Sequence, residues 1–192
     1  MFVIGITGTL GSGKGTIVNY LAQEKNFIHY SVRAFLIREI EKRKLPVNRD
    51  SMVSVANDLR VNHTPSYITD CLYEEAQKNN HNSVIESIRT PNEIISLRKK
   101  GSFLLIAVDA DIFVRYQRVV LRGSETDYIS LEEFTANETR EMNSDDPNKQ
   151  NLQKCIEMAD IRIENNGSIA HLYERLEKIL RNKINYAPFL PS

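Results

Sequence analysis

Gly8-Thr9-Leu10-Gly11-Ser12-Gly13-Lys14-Gly15-Thr16 directly follows the apolar run Phe2 to Thr7 and leads into a helical pattern that begins near Thr16 and reaches Leu21. The order of apolar strand, glycine-rich turn and helix decides how the rest of the chain is read. Such a turn lets successive backbone N–H groups converge on phosphate oxygens without side-chain obstruction, and the helix behind it adds the positive end of its dipole. Lys14 supplies a mobile charge able to follow a phosphoryl group in transit. Gly8, Thr9, Leu10, Gly11, Ser12, Gly13, Lys14, Gly15 and Thr16 are therefore read as a cradle for nucleotide phosphates. One position departs from the common form of the motif, which places Ser or Thr directly after the lysine to hold Mg²⁺. Here Gly15 intervenes, so metal is expected mainly through water and nucleotide, with Thr16 as a phosphate contact and a candidate metal-side hydroxyl.

Outward from this motif, Ser83 to Glu86 and Phe103 to Val108 read as further buried strands, with Phe27 to Tyr30 and Ile161 to Glu164 as additional candidates. Between them apolar residues recur at helical spacing, as in Phe35, Ile37 and Ile40, in Ile112, Tyr116, Val119 and Val120, and in Leu172, Leu176, Ile179 and Leu180. Alternating strands and helices predict a three-layer α/β fold with a parallel five-stranded sheet, its ligands beyond the carboxyl ends of the strands. Asp50 to Arg60 and Pro65 to Lys78 read as two helices with no strand between them, a helical excursion suited to an acceptor. The polar stretch from Gly123 to Ser130 reads as a loop, and Asn143-Ser144-Asp145-Asp146 as a solvated loop before a helix starting at Pro147. Tyr67, Tyr73 and the Phe35 region are assigned to core.

The 192 residues suit one domain, here residues 1–184 followed by a tail at 185–192; 41% apolar and 26% charged residues exclude disordered and fibrous classes. Lys and Arg total 25 and Asp and Glu total 25, so no global cationic field draws the protein to nucleic acid, and any anion site must be local. The longest apolar run, Phe103 to Val108, is far short of the roughly 18 residues that span a bilayer, and the N-terminus lacks a basic signal region, so a cytoplasmic, membrane-free protein is expected. Cys71, Cys155 and the scattered His29, His63, His81 and His171 show no metal-like spacing, and the cysteines are expected to be reduced thiols.

The Gly-Lys-Gly-Thr ending resembles that of adenylate kinases, and Ile4-Gly5-Ile6-Thr7-Gly8 with the later motifs is similar to archaeal adenylate-kinase-related and dephospho-CoA-kinase-like P-loop kinases. The resemblance extends over most of the chain. It implies a P-loop NTPase fold with an acceptor lobe near residues 31–80 and a short lid near 115–140. In that frame Ser31 through Arg38 resembles the opening of the monophosphate site, with Ser31 and Arg38 as acceptor-binding residues. Val84-Ile85-Glu86-Ser87-Ile88-Arg89 resembles the strand-three ending of such kinases, usually an acidic residue, Gly, a hydrophobic residue and Arg, with Glu86 for Asp and Ser87 for Gly. Asp109 through Arg122 resembles the strand-four end and its following helix, which brings Arg115, Arg118 and Arg122 near the lid, and Ser130 through Met142 the returning helix, with Arg140. Ala159 through Ser168 resembles the last strand and the loop beside the adenine, which implicates Asn166 and Gly167. Glu138 to Ser168 also resembles the kinase-like domain of some fungal deoxycytidylate deaminases, without the deaminase signature, and points towards deoxynucleotides.

Phosphoryl transfer brings many negative charges together, and guanidinium forks grip phosphate oxygens in pairs without losing charge. Arg89 is therefore placed on acceptor phosphate and in catalysis, together with Lys14, Arg118, Arg122 and Arg140. Glu86 is placed where a carboxylate orients Mg²⁺-bound water or takes a proton from a hydroxyl acceptor, the bland alternative being a strand-end cap or partner of Arg89. Arg33 and Arg60 are expected to form salt bridges within the helical lobe to acids one turn away. The resemblance thus implies transfer from ATP, with Mg²⁺, to a nucleoside or deoxynucleoside monophosphate. The alternatives are a dephospho-CoA kinase and a nucleotide-binding regulatory module with little catalysis. The oligomeric state is not legible.

Overall fold

A computed structural model describes residues 1–123 and 129–184. The sheet is built from β1 (Val3–Gly8), β2 (Ile28–Ser31), β3 (Ser83–Glu86), β4 (Phe103–Asp109) and β5 (Ile161–Glu164). Its order is β2-β3-β1-β4-β5, and every neighbouring pair is parallel. Parallel strands need crossovers, and helices supply them. In chain order these are α1 (Lys14–Glu24), α2 (Val32–Lys42), α3 (Arg49–Asn62), α4 (Tyr67–Asn79), α5 (Pro91–Lys100), α6 (Ile112–Arg122), α7 (Leu131–Met142), α8 (Leu152–Glu157) and α9 (Ile169–Ile184).

All six residues of β1 are buried, as a central strand covered on both faces requires. The two faces of the sheet carry separate cores. One gathers Val3, Ile85 and Leu105 with Phe35, Tyr73 and the apolar stripes of α2 to α5; the other gathers Ile4, Ile6 and Ile106 with α1 and α9 through Ile17, Leu21, Leu172 and Leu176. The alternation of Val3 and Ile4 between these cores is the period-two pleat of the strand. No helix among the described residues is long and apolar enough to cross a membrane.

Two readings of local order are corrected. Pro147 does not open a helix: residues 143–150 form turns, and α8 starts at Leu152, where the Asn151 side chain accepts from Lys154 N at 3.0 Å. Asparagine at the N-cap wins because its oxygen satisfies an amide left open by the first turn. Arg60 does not pair with an acid one turn away; it reaches Glu93 of α5 at 3.0 Å, both side chains almost fully buried. Arg33 lies at 3.4 Å from the Met52 sulfur. The helix α5 has no counterpart in the periodicity reading, although its start is written in the chain as a capping box, Thr90-Pro91-Asn92-Glu93. The expected loop at 123–130 falls largely on residues 124–128, which with the 185–192 tail lie outside the described residues.

Candidate active site

The glycine-rich turn lies at the carboxyl end of β1, between β3 and β4. Gly8 has φ 136° and a side chain there would meet the Val108 carbonyl oxygen at 2.0 Å; Gly13 has φ 99° and would meet Asn165 Nδ2 at 2.3 Å. Only glycine satisfies both the backbone angle and the close approach. Gly15 differs: a side chain there meets nothing within 4 Å, so the absence of a hydroxyl at this position is not imposed by packing.

The turn is clamped from two sides by residues outside the motif. Asn165 donates from Nδ2 to the Ser12 carbonyl at 2.8 Å. Arg115, 5% exposed, donates to the Leu10 carbonyl at 3.4 Å and to Ala110 O at 2.7 Å, and forms a two-pronged ion pair with Glu138 of α7. Thr9 Oγ1 donates to Asp109 at 2.5 Å. Arg115 and Asn165 are therefore positioning residues for the cradle. Asn166, one residue on from Asn165, accepts instead from Asp111 N at 2.7 Å, and Gly167 lies beside His171.

Lys14 is half-buried and folds back to donate to the carbonyls of Gly8 at 2.9 Å and Thr9 at 2.6 Å. Burial pushes its ammonium down to about 7; Arg89 and, more weakly, Arg122 act in the same direction, while Glu86 and Glu141 oppose them. The depression is chiefly the loss of water around the ammonium, with a smaller push from the neighbouring guanidinium groups. Lys14, Glu86, Arg89 and Arg122 thus come within electrostatic reach of one another.

Glu86 accepts from Ser31 Oγ at 3.0 Å and lies 3.4 Å from His29 Nε2. Burial works to raise its carboxyl, but His29, Ser31 and Lys14 outweigh it and hold the group below the usual carboxylate range. Arg89 is not its partner: Arg89 pairs with Glu141 of α7 and donates to Gln150 Oε1 at 3.0 Å. Ser87 between them has φ 63°, a left-handed conformation that glycine adopts with less strain than serine.

Ser31 also caps α2, accepting from Ala34 N at 3.2 Å. Arg38 lies away from this cluster, exposed on α2, 3.6 Å from Glu75 of α4 and over the Phe35 ring. Thr16, in the first turn of α1, is half-buried. Arg118 lies on α6 one turn beyond Arg115, with its Nη1 buried and unpartnered, and the Ser12 hydroxyl is likewise buried without a partner. Arg140 is exposed on α7 and donates to Asn137. Glu141 falls within the Ser130 through Met142 segment likened to the returning helix, where only Arg140 is given a role; its sequence signal is that it neighbours Arg140. Among the described residues no three His, Cys, Asp or Glu side chains gather as a metal site.

Residues 4–144 match the AAA domain family model. A UPF0200 protein of Methanococcus vannielii is 31% identical over 187 residues, covering 96% of this chain and 97% of its own length. Among solved structures, shikimate kinase from Aquifex aeolicus is similar with a TM-score of 0.56 at 12% identity, covering 97% of this chain and 100% of that one. A gluconokinase from Sinorhizobium meliloti has a TM-score of 0.56 at 13% identity, covering 96% of this chain and 94% of that one. At such identities the likeness is one of fold, and the fold is that of P-loop kinases.

Proposed function

The chain belongs to the AAA domain family and to the UPF0200 proteins, and from that premise we propose that it is an ATP-dependent kinase that phosphorylates a nucleoside or deoxynucleoside monophosphate. The observation that carries the reading is the state of Lys14: a depressed ammonium held on the carbonyls of its own glycine turn, with Arg89 and Arg122 within reach. An ammonium stripped of water beside guanidinium groups is restored when phosphates arrive, which suits a site where several phosphates are brought together.

The residues present fit a nucleoside triphosphate. The cradle has three glycine positions, Gly8, Gly11 and Gly13, where a side chain would collide, and the Ser12 hydroxyl and Arg118 Nη1 are buried polar atoms that lack partners. Bound ATP with Mg²⁺ supplies the transferable phosphoryl group and neutralises part of its charge. The amides of Gly11 to Thr16 and Lys14 hold the donor phosphates, Arg118 and Arg122 stabilise the group in transfer, and Arg89 receives the acceptor. Asn166 and Gly167 border the donor's base. Glu86, with Thr16, would hold the metal side.

A phosphate acceptor is preferred over a hydroxyl because Glu86 is held below the usual carboxylate range. A carboxylate stabilised in that way is a weak base, and a phosphate acceptor, already ionised, asks for little base help. The test is ADP formation from Mg-ATP with each common ribo- and deoxyribonucleoside monophosphate and with dephospho-CoA, Lys14→Ala serving as control. Stimulation by a monophosphate, lost in the variant, supports the reading. Stimulation by dephospho-CoA alone replaces it with the hydroxyl-acceptor kinase, and nucleotide binding without any stimulation supports a regulatory module.

A further inference from the structure

Between α3 and α7, against the loop carrying Lys149 and Gln150, lies a cavity of about 270 Å³. Its lining residues are mostly polar or charged, although much of the surface they turn to the cavity is the aliphatic part of their side chains. Arg49, Arg140 and Lys149 line it with Asp50 and Glu141, and Arg89 adjoins it through its pair with Glu141. With Asp146, which pairs with Lys149 at 3.8 Å, four cations face three carboxylates, an excess of one positive charge that becomes two once Glu141 is displaced. A phosphomonoester carries about −1.5 to −2 near neutral pH.

Glu141, 12% exposed, spans two guanidinium groups: one oxygen pairs with Arg49 Nη2 and the other with Arg89 Nη1. Those two arginines hold its carboxyl below the usual range against the burial that would raise it. A two-oxygen anion held by one nitrogen from each of two guanidinium groups, within electrostatic reach of Lys14, occupies a place where the same groups can hold phosphate. Asn57, which also lines the cavity, has a buried side-chain carbonyl oxygen with no hydrogen-bond partner.

We propose that this α3–α7 cleft is the acceptor site, that it takes a small phosphomonoester whose anion displaces Glu141 from Arg89 and Arg49, and that Asn57 accepts from an N–H or O–H on the acceptor's uncharged part. The proposal rests on the kinase reading for the fate of the bound anion but not for its place. It moves the acceptor from the α2 surface around Arg38 to the cleft lined by α3 and α7. Glu141 serves there as a surrogate anion: it keeps the forks paired in the free protein and weakens binding of any ligand without enough charge to replace it.

The experiment measures binding of the nucleoside monophosphate panel and of inorganic phosphate alone by ligand-observed NMR, beside ADP formation and the Mg-ATP dissociation constant, for wild type, Arg49→Met and Glu141→Gln. The displacement mechanism gives opposite shifts from the two partners of one ion pair. Arg49→Met weakens the monophosphate about tenfold, and Glu141→Gln tightens it several-fold, while Mg-ATP affinity stays within twofold. A structural ion pair lowers the melting temperature in both variants and leaves monophosphate affinity unchanged, or weakens it in both, and either result overturns the proposal. Monophosphate binding with these shifts but no turnover sinks the kinase reading and keeps the cleft. Turnover indifferent to Arg49 keeps the kinase and sinks the cleft, and absence of any monophosphate or phosphate binding sinks it as well.

Discussion

At the scale of single residues, Lys14 carries the largest conflict between stability and function. Its folded value of about 7 lies below the ordinary 10.5, so between those limits the unfolded chain binds the proton and the folded chain does not. Wild-type stability therefore rises with pH across that window, and below it the cost of the buried charge is felt in full. Lys14→Met removes that cost, and the variant is expected to melt higher than wild type near pH 7, on the order of a few kcal/mol, with the gap closing as pH approaches 10. Melting curves at several pH values check this; a variant less stable at every pH contradicts it. The same shift couples to ligand. Phosphates restore the ammonium, so nucleotide binding takes up a proton above pH 7 and affinity falls there by up to about tenfold per pH unit, whereas below pH 7 the lysine is already charged and contributes no slope. Calorimetry in buffers of different ionisation enthalpy reads the proton directly, and zero uptake at pH 8 refutes the coupling. Ser87 is a smaller case: at φ 63° it is strained, and Ser87→Gly is expected to leave nucleotide affinity alone and to stabilise by roughly 0.5–1 kcal/mol after the added freedom of the unfolded chain is offset.

Among elements, the join between β3 and α5 shows how a site residue is held. Glu93 accepts from the amides of Arg89 and Thr90 at 2.8 and 3.0 Å while pairing with buried Arg60 of α3. The backbone under Arg89 is thus fixed by α5 and tied to the helical excursion. Removing one member of a buried pair strands the other charge, and Glu93→Ala is expected to cost about 3–5 kcal/mol in denaturant unfolding; a loss below about 1 kcal/mol would show that the pair is not what fixes this join. The cap was legible as the spacing Thr90-Pro91-Asn92-Glu93, but the buried pair was not, because Arg60 and Glu93 are 33 positions apart and meet only in the folded chain. By contrast the five strands and most helices could be read from apolar periodicity, which local sequence does encode. The Asn165 and Arg115 clamps escaped for the same reason as Glu93: their partners are carbonyls and acids brought close by β4, β5 and α7.

For the whole molecule, the order β2-β3-β1-β4-β5 gathers the carboxyl ends of β1 and β3 around Lys14, Glu86 and Arg89, so the motif pair most visible in the chain is also the pair that the topology unites. What the sequence could not disclose was the pairing of Arg89 with Glu141, which depends on α7 returning over the sheet end. The most direct test of the kinase reading is to incubate the protein with ATP labelled at the γ-phosphate and the nucleoside monophosphate panel, and to follow the label. The reading predicts label in a nucleoside diphosphate with one or a few acceptors, absent with Lys14→Ala. Label appearing only as inorganic phosphate, at a rate indifferent to every acceptor, would contradict it.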